Sequence, residues 1–182
     1  MSRSTPPAPT APSASTAANP WARWAALALL LLGLAGGAAW FFRGAAQPAL
    51  APSPHALRPD DPQLVERGAA IYAQQCAACH GARGEGQPDW RDRGPTGLLP
   101  APPHDASGHT WHHPDEQLFD ITKRGLAAVI GQPNYQTAMP AYAGVLSDTD
   151  IVAVLSYIKA QWPAEVRQHH DQINAQARAA AR

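Results

Sequence analysis

The most apolar stretch of the chain covers residues 24–42, where 19 consecutive residues lack a charged side chain and an arginine stands on each side. As a helix, this stretch would be roughly 28 Å long, close to the thickness of the hydrocarbon core of a bilayer. Trp24 and Trp40 lie near its two ends, where amphipathic rings favour the membrane interface. We therefore predict a single transmembrane anchor over residues 21–43, with residues 24–42 in the membrane.

Two further features of this stretch bear on how it is used. Small residues at Gly37-Ala38-Ala39 resemble a signal-peptidase site, so a cleavable signal peptide is the alternative to an anchor. The apolar run continues through Phe42 and is long enough to span, which favours the uncleaved anchor. Gly33 and Gly37 form a G-x-x-x-G pair, which would allow a weak helix–helix dimer.

The anchor divides the chain into segments of different composition. Residues 1–20 are mostly Ser, Thr, Ala and Pro with one charged side chain, and we predict that they are disordered. Residues 44–63 carry five prolines among alanines, which predicts a semi-rigid linker. Residues 64–163 are then the only segment able to form a core, and residues 164–182 form a helical or flexible tail.

Helical patterns dominate residues 64–163. No segment alternates polar and apolar residues with a period of two, so the predicted fold class is all-α, with three to four helices. Capping signals place the first two helices at residues 64–79, after Asp61-Pro62, and 115–124, before Gly125. The third is predicted over residues 147–162, where Ser147 and Asp150 form a capping box.

Charge and cysteine content exclude several classes of protein. Lys and Arg (14) balance Asp and Glu (14), so no nucleic-acid partner is expected. The core segment carries seven basic and ten acidic residues. Two cysteines rule out a disulfide scaffold and a metal site built from four cysteines.

The sharpest chemical signal is Cys76-Ala77-Ala78-Cys79-His80. Two thiols at i and i+3 on a helical turn can add across the two vinyl groups of a haem, and the adjacent imidazole can bind its iron. A redox dithiol of the thioredoxin type would need a βαβ context, which is absent. A zinc site would need two of His104, His109, His112 and His113, across an unusually long gap. We therefore predict one covalently bound haem c.

A six-coordinate haem iron needs a second axial ligand. Met139 is the only methionine in the core segment, and it precedes Pro140, which suits an extended loop. Met139 and His80 are therefore the predicted axial ligands of the iron. A core methionine filling a gap, or an axial histidine from residues 104–113, remains an alternative.

These residues together resemble a monohaem class I cytochrome c. The resemblance covers residues 64–163 and rests on the haem-binding motif, the Met-Pro pair and three residues of the first and last helices: Gly68, Tyr72 and Tyr157. It implies that Gly68 allows these two helices to approach closely. It also implies a proline carbonyl that accepts the Nδ1–H of His80, for which Pro100 is the candidate and Pro95 the alternative.

The histidine cluster at residues 104–113 departs from the simplest members of that family. Its segment Gly108–Asp115 resembles one found near the haem propionates of some membrane-bound bacterial cytochromes, which makes Trp111 a candidate propionate donor. A polar loop is the favoured interpretation of the cluster, and a copper or zinc site is the alternative. His55, His169 and His170 are predicted to be solvent-exposed.

The resemblance implies an electron carrier rather than an enzyme. The expected protein is a single-pass cytochrome of a bacterial inner membrane, with its haem domain on the periplasmic side and redox proteins of the respiratory chain as partners. The first alternative is an electron-transfer subunit of a larger oxidase or dehydrogenase complex. A haem-based sensor and a metal-handling module built on the histidine cluster are further alternatives.

Overall fold

The computed structural model describes residues 53–181, together with Trp21 and Trp24. The predicted disordered segment, most of the predicted anchor and the first part of the predicted linker lie outside the described residues. In the part of the chain that the structure describes, no helix combines the length and apolarity needed to cross a membrane.

The described chain is helical, which confirms the all-α class. The main helices are α1 (Pro62–Gln75), α3 (Asp115–Arg124), α5 (Asp148–Ala160) and α6 (Ala164–Ala180). Two helices of four residues, α2 (Ala77–His80) and α4 (Leu126–Val129), and one 3-10 turn (Thr110–His112) lie between them. No strand occurs within residues 53–181; a single bridge joins Ala143 and Leu146.

The predicted capping residues begin the two helices that form the centre of the fold. The Asp61 side chain accepts from the Leu64 backbone N–H (3.1 Å), with Pro62 in the first turn of α1. At α5, Ser147 and Asp150 form the reciprocal bonds of a capping box. Each cap satisfies backbone donors that a helix end leaves unpaired.

The core lies between α1, α3 and α5. Residues 151–156 of α5 are all buried, because helices pack on more than one side of it. Tyr72 of α1, Phe119 of α3 and Trp162, which follows α5, contribute the buried aromatic rings of this cluster. The apolar cluster also includes Leu57, which lies before the predicted core segment.

Residues 53–61, here called the strap, pack against the helices although they were predicted to be linker. The Leu57 side chain is 7% exposed, and its N–H donates to the Asp115 carboxylate at 2.9 Å. The Arg58 N–H donates to Ser156 Oγ, also at 2.9 Å. The His55 ring stacks on Phe119 with centroids 3.6 Å apart, so the prediction of a solvent-exposed His55 was wrong.

The tail forms helix α6, and polar side chains attach it to α3. Asn174 accepts from the Asp115 backbone N–H at 2.8 Å and donates to the Asp115 carboxylate at 3.0 Å. His170 is 0% exposed and donates from Nε2 to the His113 carbonyl at 3.0 Å. The prediction that His170 is solvent-exposed was therefore wrong, while His169 is exposed as predicted.

Candidate haem site

The Cys-x-x-Cys-His motif lies where α1 ends. Cys76 leaves the helical conformation (φ −120°), and its carbonyl accepts from the N–H groups of Cys79 (3.1 Å) and His80 (2.9 Å). One tight turn therefore carries both thiols and the imidazole. Both cysteines are free; Cys79 is exposed, and burial raises the pKa of the half-buried Cys76 to about 11.

His80 is buried and oriented by one backbone carbonyl. Its Nδ1 lies 2.8 Å from the carbonyl oxygen of Pro102. Because a carbonyl only accepts, Nδ1 carries the proton and the lone pair of Nε2 is left for a metal. Burial lowers the pKa of His80, opposed in part by this hydrogen bond. The ring is thus held in the neutral form that binds iron.

The accepting carbonyl belongs to Pro102 and not to Pro100 or Pro95, the residues predicted for this role. Two short segments fix the register: the Gln87 N–H donates to Ala101 O (2.9 Å) and the His104 N–H donates to Gly84 O (2.7 Å). Gly86 (φ +70°) lies so close to this loop that a Cβ there would be 2.5 Å from Pro103 N. These contacts bring the Pro102 carbonyl to His80.

Gly68, Tyr72 and Tyr157 meet where α1 crosses α5. A Cβ on Gly68 would lie 2.1 Å from the Ala153 carbonyl oxygen and 2.8 Å from the Tyr157 Cβ. The Tyr72 and Tyr157 rings are 5.4 Å apart, and the Tyr72 hydroxyl donates to Gly81 O at 2.9 Å. Burial raises the pKa of Tyr72, so its hydroxyl stays protonated. Through Tyr72, the crossing of α1 and α5 therefore fixes the position of Gly81, the residue after His80.

Met139 lies in the loop between α4 and α5 and is half-buried. Its N–H donates to Thr137 Oγ1 at 3.1 Å. Three residues later, the Tyr142 hydroxyl donates to the carbonyl of Gln75 at 2.7 Å, and the Tyr142 N–H donates to Thr122 O at 3.0 Å. The methionine loop is thus tied to the residue before Cys76. The role of Met139 as a ligand stays a prediction.

The histidines of residues 104–113 are dispersed over aromatic and polar partners. The His109 ring stacks on Trp90 (5.3 Å between centroids) and the His112 ring on Trp111 (3.7 Å). Trp111 Nε1 donates to Ala106 O at 3.3 Å, and its role toward a propionate stays a prediction. Within the described residues, no three His, Cys, Asp or Glu side chains are placed to hold a metal ion. This arrangement favours the polar loop over the copper or zinc site.

His104 is the exception, because its ring stacks on His80 with centroids 3.9 Å apart and planes 22° apart. Two imidazoles that bind one iron from opposite sides point their nitrogens at each other, so this arrangement does not suit His104 as the second axial ligand. Burial lowers the pKa of His104 well below its usual value, and His80 and His109 lower it further. The sequence contains no periodic signal that singles out this histidine from its neighbours.

The residues of this site fit a covalently attached haem. Two free thiols stand three residues apart on one turn, and the next side chain is a neutral imidazole with a free Nε2. Thioether attachment uses both thiols, and a nitrogen of this kind is an axial ligand of haem iron.

Residues 63–158, slightly more than half of the chain, match the sequence family described as "Cytochrome C oxidase, cbb3-type, subunit III". No curated protein and no solved structure is significantly similar to the chain. The matched range contains all of α1 but Pro62 and most of α5, the two helices that cross at Gly68, with the whole haem-binding motif between them. A c-type cytochrome domain carries covalently bound haem c and acts in electron transfer. By this match the chain belongs to the family of cbb3-type cytochrome c oxidase subunit III and contains a c-type cytochrome domain.

Proposed function

We propose that the chain is a membrane-anchored monohaem cytochrome that carries single electrons between respiratory partners on the periplasmic side of a bacterial inner membrane. The observation that carries this proposal is the turn formed by Cys76, Cys79 and His80, with His80 Nδ1 bonded to the Pro102 carbonyl. The bound haem supplies reversible one-electron chemistry between ferric and ferrous iron. The protein attaches it, orients its ligand and limits access of water.

In this proposal, Met139 would be the second protein ligand of the haem iron, so that no site would be left for a substrate. The link from Tyr142 to Gln75 supports this assignment, because it holds the methionine loop at the end of α1 that leads into the haem-binding motif. Methionine and histidine together raise the reduction potential relative to other ligand pairs. A haem held by these residues would exchange single electrons with a partner without bond formation between them.

Optical spectra of the full chain, matured with haem, test this assignment. In the ferric wild type we expect a low-spin spectrum with the far-red methionine–iron band, and in Met139→Ala the loss of that band together with rapid binding of cyanide. Val145→Ala is the matched control, because this side chain lies in the same loop and is 63% exposed. A wild type that lacks the band, or that binds cyanide as fast as the variant, would contradict the closed electron carrier.

The second candidate is an electron-transfer subunit of a larger oxidase complex, which the family match favours. Native membranes solubilised in mild detergent distinguish the two functions. A free carrier migrates as a small species that carries the haem stain alone. A subunit comigrates with oxidase activity, and depletion of the chain removes that activity from the band.

A further inference from the structure

Two restraints act on the His80 ring from different directions. The Pro102 carbonyl lies 2.8 Å from Nδ1 and restrains the ring in its own plane. The His104 ring lies against the face of His80, with centroids 3.9 Å apart. A hydrogen bond at Nδ1 alone still permits the His80 ring to turn about the line that joins Nδ1 and Nε2. A second ring packed against the face of His80 opposes that rotation.

His104 is itself held by its backbone and its side chain. Its N–H donates to Gly84 O (2.7 Å), and its carbonyl accepts from Trp162 Nε1 (2.7 Å). Its Nδ1 lies 2.9 Å from the hydroxyl of the buried Thr110. That hydroxyl points to the Pro103 carbonyl (3.4 Å) and therefore accepts from His104 Nδ1–H. Two backbone hydrogen bonds thus hold the His104 residue in place, and a third holds its ring against His80.

We propose that His104 is a positioning residue for the haem, which sets the direction of the His80 imidazole plane by stacking on its face. The inference rests on the proposed function, in that His80 is the iron ligand. The groups that orient a metal-bound histidine fix its ring and tune its metal, and their loss typically costs about 10–100-fold in metal affinity or activity. Here the orienting group is a second aromatic ring in addition to the usual carbonyl.

Electron paramagnetic resonance and NMR spectra of the ferric full chain with haem report the direction of the imidazole plane without reference to any activity. In frozen solution, the largest g value depends on that direction, and a spread of directions broadens its signal. In solution, the hyperfine shifts of the four haem methyl groups depend on the same direction, and rotation of the ring averages them. We expect His104→Ala to broaden the g signal and to narrow the spread of methyl shifts.

Three further variants make the test specific. His104→Phe keeps a flat ring at this position but loses the hydrogen bond to Thr110, so its signals should lie between those of the wild type and those of His104→Ala. Thr110→Val removes the hydroxyl that holds His104 and should shift both signals in the same direction as His104→Ala, by less. His55→Ala removes a histidine that stacks on Phe119 instead and should change neither signal.

The proposal is overturned if His104→Ala has the g value, line width and methyl shifts of the wild type, or if His104→Phe differs from the wild type as much as His104→Ala does. Where His104→Ala does not fold, Thr110→Val decides, and wild-type signals in that variant count against the proposal. A failure of the proposed function is seen separately, because the wild type itself then lacks the low-spin methionine–histidine spectrum.

Discussion

Gly68 lies where α1 packs directly against the backbone of α5. A methyl group at this position would lie 2.1 Å from the Ala153 carbonyl oxygen, an atom of the α5 backbone that cannot rotate away. Although alanine favours a helix more than glycine does, separation of the two helices costs more than that gain. We expect Gly68→Ala to lower the free energy of unfolding by about 1–3 kcal/mol, as measured by urea denaturation.

Gly94→Ala is the matched control for that prediction. The nearest atom to a Cβ at Gly94 is the Leu98 carbonyl oxygen at 3.7 Å, which is an ordinary contact, and we expect a change within about 0.5 kcal/mol. If both variants are equally stable, the close approach at Gly68 does not limit the packing of α1 on α5.

His170 makes folding dependent on pH. Burial and the nearby Lys159 lower the pKa of His170, although Asp115 and the His113 carbonyl oppose the shift. The unfolded chain therefore binds a proton near pH 6.5 that the folded chain still excludes. The resulting stability is complete above about pH 6.5 and is lost as the pH falls from there through the lower pKa of the folded state.

Thermal melts between pH 7.5 and pH 5 measure this effect. We expect the melting temperature of the wild type to fall over that range and the fall to be smaller in His170→Gln, which cannot be protonated. His169→Gln is the control, because His169 is the exposed neighbour in the same helix. An equal pH dependence in the wild type and in His170→Gln would show that His170 does not take part.

Residue roles set by local chemistry could be predicted, and roles set by distant pairing could not. The two thiols and His80 are adjacent in sequence, so their common turn follows from the helix period alone. The accepting carbonyl is one of several in a proline-rich loop, and only the pairing of residues 84–87 with 101–104 selects Pro102. Likewise, a polar residue such as His170 is expected to be exposed. Its burial is possible because the His113 carbonyl and the Asn174 amide form hydrogen bonds with its two ring nitrogens.

At the scale of elements, α6 is attached to α3 by polar contacts rather than by an apolar stripe. Asn174 pairs with both the backbone N–H and the carboxylate of Asp115, and the same carboxylate accepts from the Leu57 N–H of the strap. Asp115 thus joins three segments that are far apart in sequence. The weak apolar face of the tail explains why the sequence predicts a helix there without predicting its contact.

Removal of the Asn174 amide should release α6 selectively. Asn174→Ala removes the side chain that pairs with the buried Asp115 N–H and with one oxygen of its carboxylate. Buried polar groups left without a partner in this way lower the free energy of unfolding by about 1–3 kcal/mol. We expect faster hydrogen exchange of the α6 amides and unchanged exchange in α1. Gln172→Ala, on the exposed side of the same helix, is the control. Equal exchange rates in α6 of the two variants would contradict the role of Asn174.

The starts of the helices were the most predictable feature at the scale of elements, because capping residues act within one turn of chain. Asp61, Ser147 and Asp150 make the bonds expected of them. The end predicted for the first helix at residue 79 was wrong, because Cys76 leaves the helical conformation and α1 ends at Gln75. The strap had no comparable signal. Its prolines indicate an extended chain, but an extended chain can lie along a protein surface as readily as it can cross solvent, and the burial of Leu57 is settled only by contacts with distant helices.

At the scale of the whole molecule, the strap shortens the tether that the sequence predicts. Residues 44–63 were predicted to be linker, but residues 53–61 pack on the helices, which leaves residues 44–52 between the predicted anchor and the packed unit. Nine residues reach at most roughly 30 Å even when fully extended. With the predicted anchor in a membrane, such a tether would restrict the chain to partners in that same membrane.

The predicted anchor itself is open to a direct test at Leu30, near the middle of residues 24–42. An arginine at the centre of a membrane helix raises the apparent cost of insertion by about 3–4 kcal/mol relative to leucine. We expect Leu30→Arg to remove the chain from the alkali-washed membrane fraction and, because its haem domain no longer reaches the periplasm, to abolish haem staining. Leu30→Val, which keeps the apolar run, should behave as the wild type does.

The mass of the wild-type chain separates the anchor from its alternative. An uncleaved anchor leaves residues 21–43 on the haem-stained chain, which then stays with the membrane. Cleavage after Gly37-Ala38-Ala39 would produce a shorter, soluble chain that starts at Trp40 and still carries haem, and Leu30→Arg would then lower its amount rather than change its location. A soluble wild type of that mass would contradict the anchor, and with it the short tether, because residues 44–52 would no longer connect the packed unit to anything.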